Sequence, residues 1–186
     1  MEILLFRHGL TAGNLKKRYV GRTDEPLCEQ GIAEISDVTV PQCDVLIVSP
    51  MLRCKQTASI LFPKQKQNVC SEFRECDFGK FEGRNYMELS NDPEYQRWVD
   101  SHAKLPFPGG ESRKEFRTRV NAAFEMMISR NCNADSIAFV VHGGTIMSIM
   151  GKFGVLENEY YLWRIPNGHG ILTQLKNGRL VVREYI

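Results

Sequence analysis

The chain has 186 residues, of which 42% are hydrophobic and 25% are charged. These proportions are those of a globular protein and argue against a disordered, collagen-like or coiled-coil chain. The 24 basic and 22 acidic side chains leave a net charge of +2, which is too even for a dedicated nucleic-acid binder. The length is close to that of one ordinary domain, so we predict a single domain over residues 1–186.

No apolar run in the sequence approaches the roughly 18 residues that span a membrane, and the first residues lack a signal-peptide pattern. We therefore expect a cytoplasmic protein that binds neither membrane nor nucleic acid. The cysteines form no C-x-x-C pair, and a chain of this length can build its own core, so we expect free thiols and no metal site. They are Cys28, Cys43, Cys54, Cys70, Cys76 and Cys132.

The first third of the chain alternates strand and helix patterns. Residues 3–6 form a short apolar run that is typical of a buried strand, and a helical segment follows Gly31. Residues 44–48 have the pattern of a second buried strand. Ser49 and Pro50 come next, and serine as N-cap with proline at the first helical position predicts a helix that runs to Leu61.

The rest of the chain continues this alternation. Residues 70–110 are rich in turn and aromatic residues, which predicts short helices and loops. Apolar residues recur at three- and four-residue intervals over 111–131, which predicts an amphipathic helix about twenty residues long. A third buried strand is predicted over 136–141, an apolar helix over 145–153 and a hairpin around Asn177-Gly178. This order of elements predicts an α/β fold.

Two of the predicted strands end in a histidine that is followed by glycine, at His8-Gly9 and at His142-Gly143. Ligands of open α/β sheets bind at the carboxyl ends of the strands, so the histidines meet if the first and third strands are neighbours. Arg7 and Arg53 follow the ends of the first and second strands, and guanidinium groups suit phosphate oxygens. Together these residues predict a pocket for a phosphoryl group. The alternative is that these residues bind no ligand, so that each His-Gly pair is an ordinary turn and each arginine is a solvated surface residue.

Five separated blocks contain these residues. They are FRHGLTAGN (6–14), GRTDEPLCEQG (21–31), SPMLRCKQTA (49–58), RECDFGKFEG (74–83) and VVHGG (140–144). In this order they resemble the histidine phosphatase superfamily, in the branch that includes the cofactor-dependent phosphoglycerate mutases. The resemblance covers most of the chain and implies a three-layer α/β/α sandwich with a mostly parallel central sheet.

The resemblance also implies a phosphohistidine mechanism that needs no metal and no cofactor. His8 is expected to be the nucleophile, and Arg7, Arg53 and His142 are expected to bind the phosphoryl oxygens. Glu75 is expected to protonate the leaving alcohol and then to activate water. The further substrate-binding residues that we expect are Asn14, Arg22, Thr23, Glu111 and Gly143.

Some side chains allow two interpretations. Glu111 either contacts the substrate or is a first-turn carboxylate of the long helix. Trp98 and Phe107 either stack on an aromatic substrate or pack in the core. Cys54, where the family often has alanine, is expected to lie outside the chemistry.

The length favours a phosphatase, because the mutases that the chain resembles tend to carry extra segments around the active site. Within the superfamily, residues 74–112 resemble the alpha-ribazole phosphatases. We therefore expect a metal-independent phosphomonoester hydrolase, monomeric or homodimeric, that acts on a small phosphorylated metabolite such as alpha-ribazole 5′-phosphate. Phosphoglycerate mutase-type transfer and a broad-specificity sugar or nucleotide phosphatase are the alternatives.

Overall fold

The computed structural model describes residues 1–155 and 160–186, and its strands form one six-stranded sheet. The strands are β1 (Glu2–Arg7), β2 (Val45–Val48), β3 (Gln67–Val69), β4 (Ser136–Val141), β5 (Gly170–Lys176) and β6 (Arg179–Tyr185). Their order in the sheet is β3-β2-β4-β1-β5-β6. The neighbours from β3 to β1 are parallel, whereas β5 is antiparallel to both β1 and β6.

Helices lie between the strands along the chain. They are α1 (Ala12–Leu15), α2 (Glu29–Ser36), α3 (Leu52–Leu61), α4 (Pro93–Asp100), α5 (Arg113–Arg130) and α6 (Gly143–Phe153). Three short 3₁₀ turns cover Ser71–Phe73, Gly79–Phe81 and Tyr160–Trp163. No helix in the described part of the chain is long and apolar enough to cross a membrane.

The buried strands are apolar on both faces, and this produces the layers of the fold. Ile3 and Leu5 of β1 pack in a cluster with α5 and α6. Leu4 and Phe6 point to the opposite face and pack in a second cluster with α3. Side chains of a strand alternate between its faces, so one short apolar run supplies both cores. The predicted α/β/α sandwich with a mostly parallel sheet is confirmed.

The central pair of strands fixes the position of the two histidines. β1 and β4 are parallel neighbours, and Arg7 pairs with Val141 at the ends of the two strands. The His8 N–H donates to the Val141 carbonyl oxygen at 3.0 Å. His8 and His142 therefore leave the sheet side by side, as expected for neighbouring first and third predicted strands.

The C-terminal hairpin is also confirmed, because Asn177 and Gly178 connect β5 to β6 with φ angles of 50° and 76°. These left-handed angles are what a two-residue type I′ turn requires, and asparagine and glycine adopt them most easily.

Several helix starts differ from the prediction, and α2 begins at Glu29, before Gly31 rather than after it. α3 begins at Leu52 with Met51 as its N-cap, not at Pro50. The Ser49 hydroxyl, which the prediction assigned to capping, instead lies 2.8 Å from His142 Nε2. α6 begins two residues earlier than predicted, because the extended His142 is already its N-cap.

The long helix α5 begins at Arg113 rather than at residue 111. Ser112 is its N-cap, and the Ser112 hydroxyl accepts from the Glu115 N–H at 3.1 Å while the Glu115 carboxylate accepts from the Ser112 N–H at 2.9 Å. This reciprocal pair is a capping box, which satisfies two of the amide groups that a helix start leaves free.

Candidate active site

Two buried imidazole rings lie at the carboxyl end of the parallel strands. His8 is 3% exposed and His142 is fully buried. Their ring centroids are 5.1 Å apart, and their planes are inclined by 68°. The structure thus brings together the two histidines that the sequence pattern singled out.

The tautomer of His8 is fixed by its own backbone. His8 Nδ1 lies 2.7 Å from the Gly9 carbonyl oxygen. A carbonyl can only accept, so the proton is on Nδ1 and the lone pair is on Nε2. Asn167 Nδ2 donates to the His8 carbonyl oxygen at 3.1 Å and to Asn14 Oδ1 at 3.0 Å. The imidazole therefore has one basic nitrogen, Nε2. The hydrogen bond from Asn167 also holds the backbone of His8 in place.

Burial and positive charge keep both rings neutral. Burial lowers the pKa of His8 well below its usual value, and the charges of Arg53 and Arg7 lower it further. The pKa of His142 is lowered by burial first, then by Arg53, His8 and Arg7. A neutral imidazole is the form that can act as a nucleophile, and the surroundings favour that form of His8.

We expect the His8 ring to remain neutral as the pH falls through 6.5, the ordinary pKa of histidine, since a lowered pKa moves protonation to more acidic solution. The measurement is an NMR titration of the imidazole nitrogens in ¹⁵N-labelled protein from about pH 8 to about pH 6. A His8→Asn variant assigns the His8 signals. Protonation of His8 at or above the ordinary pKa would contradict this account.

Two arginines place buried donors beside the histidines. Arg53 is fully buried, and its Nη1 and Nη2 donate to the carbonyl oxygens of Thr23 at 2.8 Å and Gly21 at 2.9 Å. Arg7 Nη1 donates to the Ile165 carbonyl oxygen at 2.7 Å. The Nε–H of each guanidinium is buried and has no acceptor among the described residues. Buried charged donors that lack an acceptor favour an anionic oxygen strongly.

The start of α6 holds the Glu75 carboxylate next to Arg7 and the histidines. The Gly144 N–H donates to Glu75 Oε2 at 3.0 Å, and the Cys76 N–H donates to Glu75 Oε1 at 2.9 Å. A Cβ atom on Gly144 would clash with Glu75 Oε1, and one on Gly143 would lie 3.2 Å from Arg7 Cζ. Glycine thus allows the acid and the guanidinium to approach a helix N-terminus, where anions are favoured.

Arg22 and Thr23 lie beside Arg53. The Glu82 carboxylate accepts from the N–H of Arg22 at 2.8 Å and from the hydroxyl of Thr23 at 2.8 Å. Arg22 Nε lies 3.6 Å from Asp77 Oδ2. Both side chains are therefore directed to carboxylates of the protein, and their loop supplies carbonyl acceptors for Arg53.

Glu111 acts on the site through an arginine. It forms a two-pronged ion pair with Arg119, with N–O distances of 2.7 and 2.8 Å. Its interpretation as a first-turn carboxylate is wrong, because α5 begins at Arg113. Arg119 also donates to the carbonyl oxygens of Arg74 and Glu75 at 2.9 and 3.2 Å. Glu111 thus holds the arginine that fixes the backbone of Glu75.

Several contacts around the histidines were not predicted from the sequence. The Thr57 hydroxyl accepts from the Gly9 N–H at 3.0 Å, and the Ser49 hydroxyl contacts His142. Cys54 Sγ lies 3.6 Å from His142 Nε2, so the expectation that Cys54 stands apart from the site is wrong. Burial raises the pKa of this thiol to about 12, which keeps it neutral beside the ring. Arg53 and Thr57 are four residues apart on α3, a spacing that could have indicated one shared helix face.

A cavity of about 500 Å³ opens beside this cluster, and Arg7, Asn14, Glu75 and Gly143 line it. Asn14 Oδ1 accepts from Asn167 and from the Thr11 N–H, which leaves the amide Nδ2 of Asn14 as a donor. Within the described ranges, no three His, Cys, Asp or Glu side chains are placed to hold a metal ion. An aromatic wall, defined as Tyr19, Phe78, Trp98 and Phe107, forms another side of the cavity.

Two side chains of the aromatic wall, Trp98 and Phe107, allow two interpretations, as core residues or as a stacking surface for the substrate. The Trp98 and Phe107 rings are stacked, with centroids 4.8 Å apart. They also pack against the small core cluster around Phe81 and Tyr95. The same rings therefore pack in a core and line the cavity, and the two roles do not exclude each other.

The fold matches that of phosphoglycerate mutase-like structures. Comparison with known proteins agrees, because the family model of the histidine phosphatase superfamily (branch 1) matches residues 3–185. The chain belongs to this superfamily and is an enzyme of the phosphatase class.

Similar proteins carry both mutase and phosphatase names. A 2,3-bisphosphoglycerate-dependent phosphoglycerate mutase from Methylorubrum extorquens (strain PA1) is 27% identical, over 94% of this chain and 89% of that protein. The alpha-ribazole phosphatase of Shigella flexneri has a TM-score of 0.86 at 23% identity, over 98% of this chain and 95% of that chain. A phosphoglycerate mutase from Thermus thermophilus has a TM-score of 0.73 at 27% identity, over 98% of each chain.

Proposed function

We propose that the protein hydrolyses a small phosphomonoester through a phosphohistidine at His8. The observation that carries this proposal is the environment of His8, a neutral ring whose Nε2 holds a lone pair. Beside it are two guanidinium groups whose Nε–H donors have no acceptor among the residues that the structure describes. Phosphoryl transfer depends mainly on positioning and on stabilising the negative charge of the equatorial oxygens. This cluster supplies both.

The reaction has two displacements at phosphorus. In the first, the lone pair of His8 Nε2 forms a P–N bond while the bond from phosphorus to the substrate oxygen breaks, and Glu75 delivers a proton to the leaving alkoxide. In the second, Glu75 takes a proton from water, the water oxygen forms a P–O bond and the P–N bond breaks. Inorganic phosphate leaves, and His8 is again neutral.

The remaining residues have supporting roles in this proposal. Arg7, Arg53 and His142 bind the non-bridging oxygens, together with Asn14 Nδ2 and the Gly143 N–H. Arg22 and Thr23 position Arg53 through their loop, and Glu111 positions Glu75 through Arg119. These last three residues are thus assigned to positioning rather than to direct substrate contact.

We expect chelators to leave the rate unchanged, because Arg7 and Arg53 supply the positive charge that a metal ion supplies in other phosphatases. The measurement is the initial rate of p-nitrophenyl phosphate hydrolysis after dialysis against EDTA, with and without added Mg²⁺ or Zn²⁺. A rate that falls on dialysis and returns with either cation would contradict a metal-independent mechanism.

Hydrolysis and phosphoglycerate mutase-type transfer share the first displacement and differ in what attacks phosphohistidine. Glu75 lines the cavity of about 500 Å³, so water in the cavity can reach the proposed general base, which favours hydrolysis. Alpha-ribazole 5′-phosphate is one candidate substrate, supported by the sequence of residues 74–112 and by the aromatic wall. Broad activity on sugar and nucleotide phosphates is the alternative specificity.

The test is a comparison of kcat/KM for phosphate release across alpha-ribazole 5′-phosphate, nucleoside monophosphates, sugar phosphates and 3-phosphoglycerate. We expect phosphate release to exceed interconversion of 3- and 2-phosphoglycerate, measured in parallel with 2,3-bisphosphoglycerate present. A mutase rate above every hydrolysis rate would overturn the assignment as a phosphatase. Equal rates on all esters would remove alpha-ribazole 5′-phosphate as the specific substrate.

A further inference from the structure

The cavity carries more positive charge than one phosphoryl group needs. Among the described residues, four arginines and one carboxylate, that of Glu75, line it. Arg7 is assigned to the transferred phosphoryl group. The other three arginines, Arg18, Arg113 and Arg164, lie on the same cavity and have no part in the proposed displacement.

Two of these three arginines have no acidic partner in the part of the chain that the structure describes. Arg18 is paired with Glu88, with an N–O distance of 2.7 Å. Arg113 donates to the Tyr161 hydroxyl at 2.9 Å, and its guanidinium lies 5.7 Å from the centre of the Tyr161 ring. Tyrosine orients the guanidinium without cancelling its charge. The exposed side chain of Arg164 has no hydrogen bond or ion pair to residues 1–155 and 160–186.

The position of Arg113 is unfavourable for the helix that carries it. Arg113 is the first residue of α5, directly after the N-cap Ser112. The partial positive charge of a helix N-terminus favours acidic side chains there and disfavours a cation. The stability of α5 therefore gives no reason for an arginine here, whereas an anion in the cavity would be attracted by both the arginine and the helix end.

Arg164 is close to Arg7, because Arg7 Nη1 donates to the carbonyl oxygen of the next residue, Ile165, at 2.7 Å. Burial lowers the pKa of Arg7, and the charges of Arg164 and Arg53 lower it further. A group held by Arg164 would thus lie within electrostatic reach of the group held by Arg7. The aromatic wall lines the same cavity and offers a planar apolar surface for the part of the substrate between its charges.

Building on the proposed phosphatase function, we propose that the preferred substrate is a phosphomonoester with a planar apolar body and a second anionic group, which Arg113 and Arg164 bind. This class differs from both specific candidates above. A nucleoside monophosphate such as alpha-ribazole 5′-phosphate has an aromatic base but no anion besides its phosphate. 3-Phosphoglycerate has a carboxylate but no apolar body for the aromatic wall.

The test compares matched aryl phosphates that carry either a carboxylate or a neutral carboxamide at the 3 or 4 position. The two substituents have nearly the same shape and differ in charge. We expect the wild-type protein to prefer a carboxylate ester over its carboxamide by about tenfold in kcat/KM, which corresponds to about 1.4 kcal/mol. The double variant Arg113→Gln/Arg164→Gln is expected to bring this ratio close to one while it still hydrolyses the carboxamide. Arg183→Gln, at an exposed arginine of β6, is the matched control and is expected to keep the preference.

The possible results separate the two proposals. Equal rates on both esters in the wild type, or a preference that survives in the double variant, would overturn the second anion site alone. Failure of the wild type to hydrolyse any aryl phosphate would overturn the proposed phosphatase function on which this site rests. Thermal unfolding of each variant shows whether a lost preference reflects lost folding.

Discussion

Replacing His8 with alanine is expected to lower kcat for p-nitrophenyl phosphate by at least about 10⁴-fold, because the variant has no nitrogen to receive the phosphoryl group. The rest of the pocket remains, so substrate binding is expected to weaken much less than turnover falls. Steady-state hydrolysis measures turnover, and titration with inorganic phosphate measures binding.

His8→Asn separates loss of the nucleophile from loss of structure, because the asparagine amide can still donate to the Gly9 carbonyl oxygen that now accepts from Nδ1. We expect the same loss of turnover as with alanine and near-normal thermal unfolding. His102→Asn, at an exposed histidine, is the matched control and is expected to keep full activity. Substantial turnover by folded His8→Asn protein would exclude His8 as the nucleophile.

Replacing Glu75 with glutamine is expected to have the second largest effect, and its size depends on the leaving group. Glutamine has nearly the same shape but cannot deliver a proton to an alkoxide. For an alkyl phosphate we expect a loss of about 10² to 10⁴ in kcat, the usual contribution of a general acid. For p-nitrophenyl phosphate the loss is expected to be much smaller, since p-nitrophenolate leaves without protonation. The measurement is kcat on both esters under saturating conditions.

Glu72→Gln makes the same chemical change at an exposed position of the same segment and is expected to leave both rates unchanged. An equal loss on the two esters in Glu75→Gln would indicate that Glu75 only holds the start of α6 through the Gly144 N–H. In that case the assignment of Glu75 as the proton donor would be wrong.

The parts of the fold that the sequence predicted are those with a strong local signal. The apolar runs of β1, β2 and β4 are buried on both faces. Asn177-Gly178 is a strong signal for a tight turn, and both residues have the left-handed φ angles of such a turn. β3 had no such signal, because its three residues, Gln67–Val69, are polar or exposed and form an edge of the sheet. Its pairing with β2 is decided by the tertiary fold rather than by its own composition.

The residues of the candidate site also fall into those with a local sequence signal and those without one. His8 and His142 were predictable as residues at the carboxyl ends of two buried strands. That they are neighbours follows from the pairing of β1 with β4, which the sequence left as a condition. Asn167 was not predictable, since it lies in a C-terminal segment without any of the five sequence blocks and reaches the site only through long-range contacts with His8 and Asn14.

The role of the Glu111 carboxylate could not be predicted for a related reason. A sequence pattern identifies Glu111 as a charged residue near a helix start but does not identify its partner. The partner, Arg119, is two turns along α5, and it bridges Glu111 to the backbone of Glu75. Such bridges depend on how separate segments pack, so they appear only in the three-dimensional structure.

The most direct test of the account is to trap the covalent intermediate. Protein mixed with excess p-nitrophenyl phosphate is quenched in alkali within the first turnover, digested and analysed by mass spectrometry. The account predicts one acid-labile phosphoryl group on the peptide that contains His8, absent from the His8→Asn variant. A phosphoryl group on another residue, or a burst of p-nitrophenolate with no phosphorylated peptide, would contradict it.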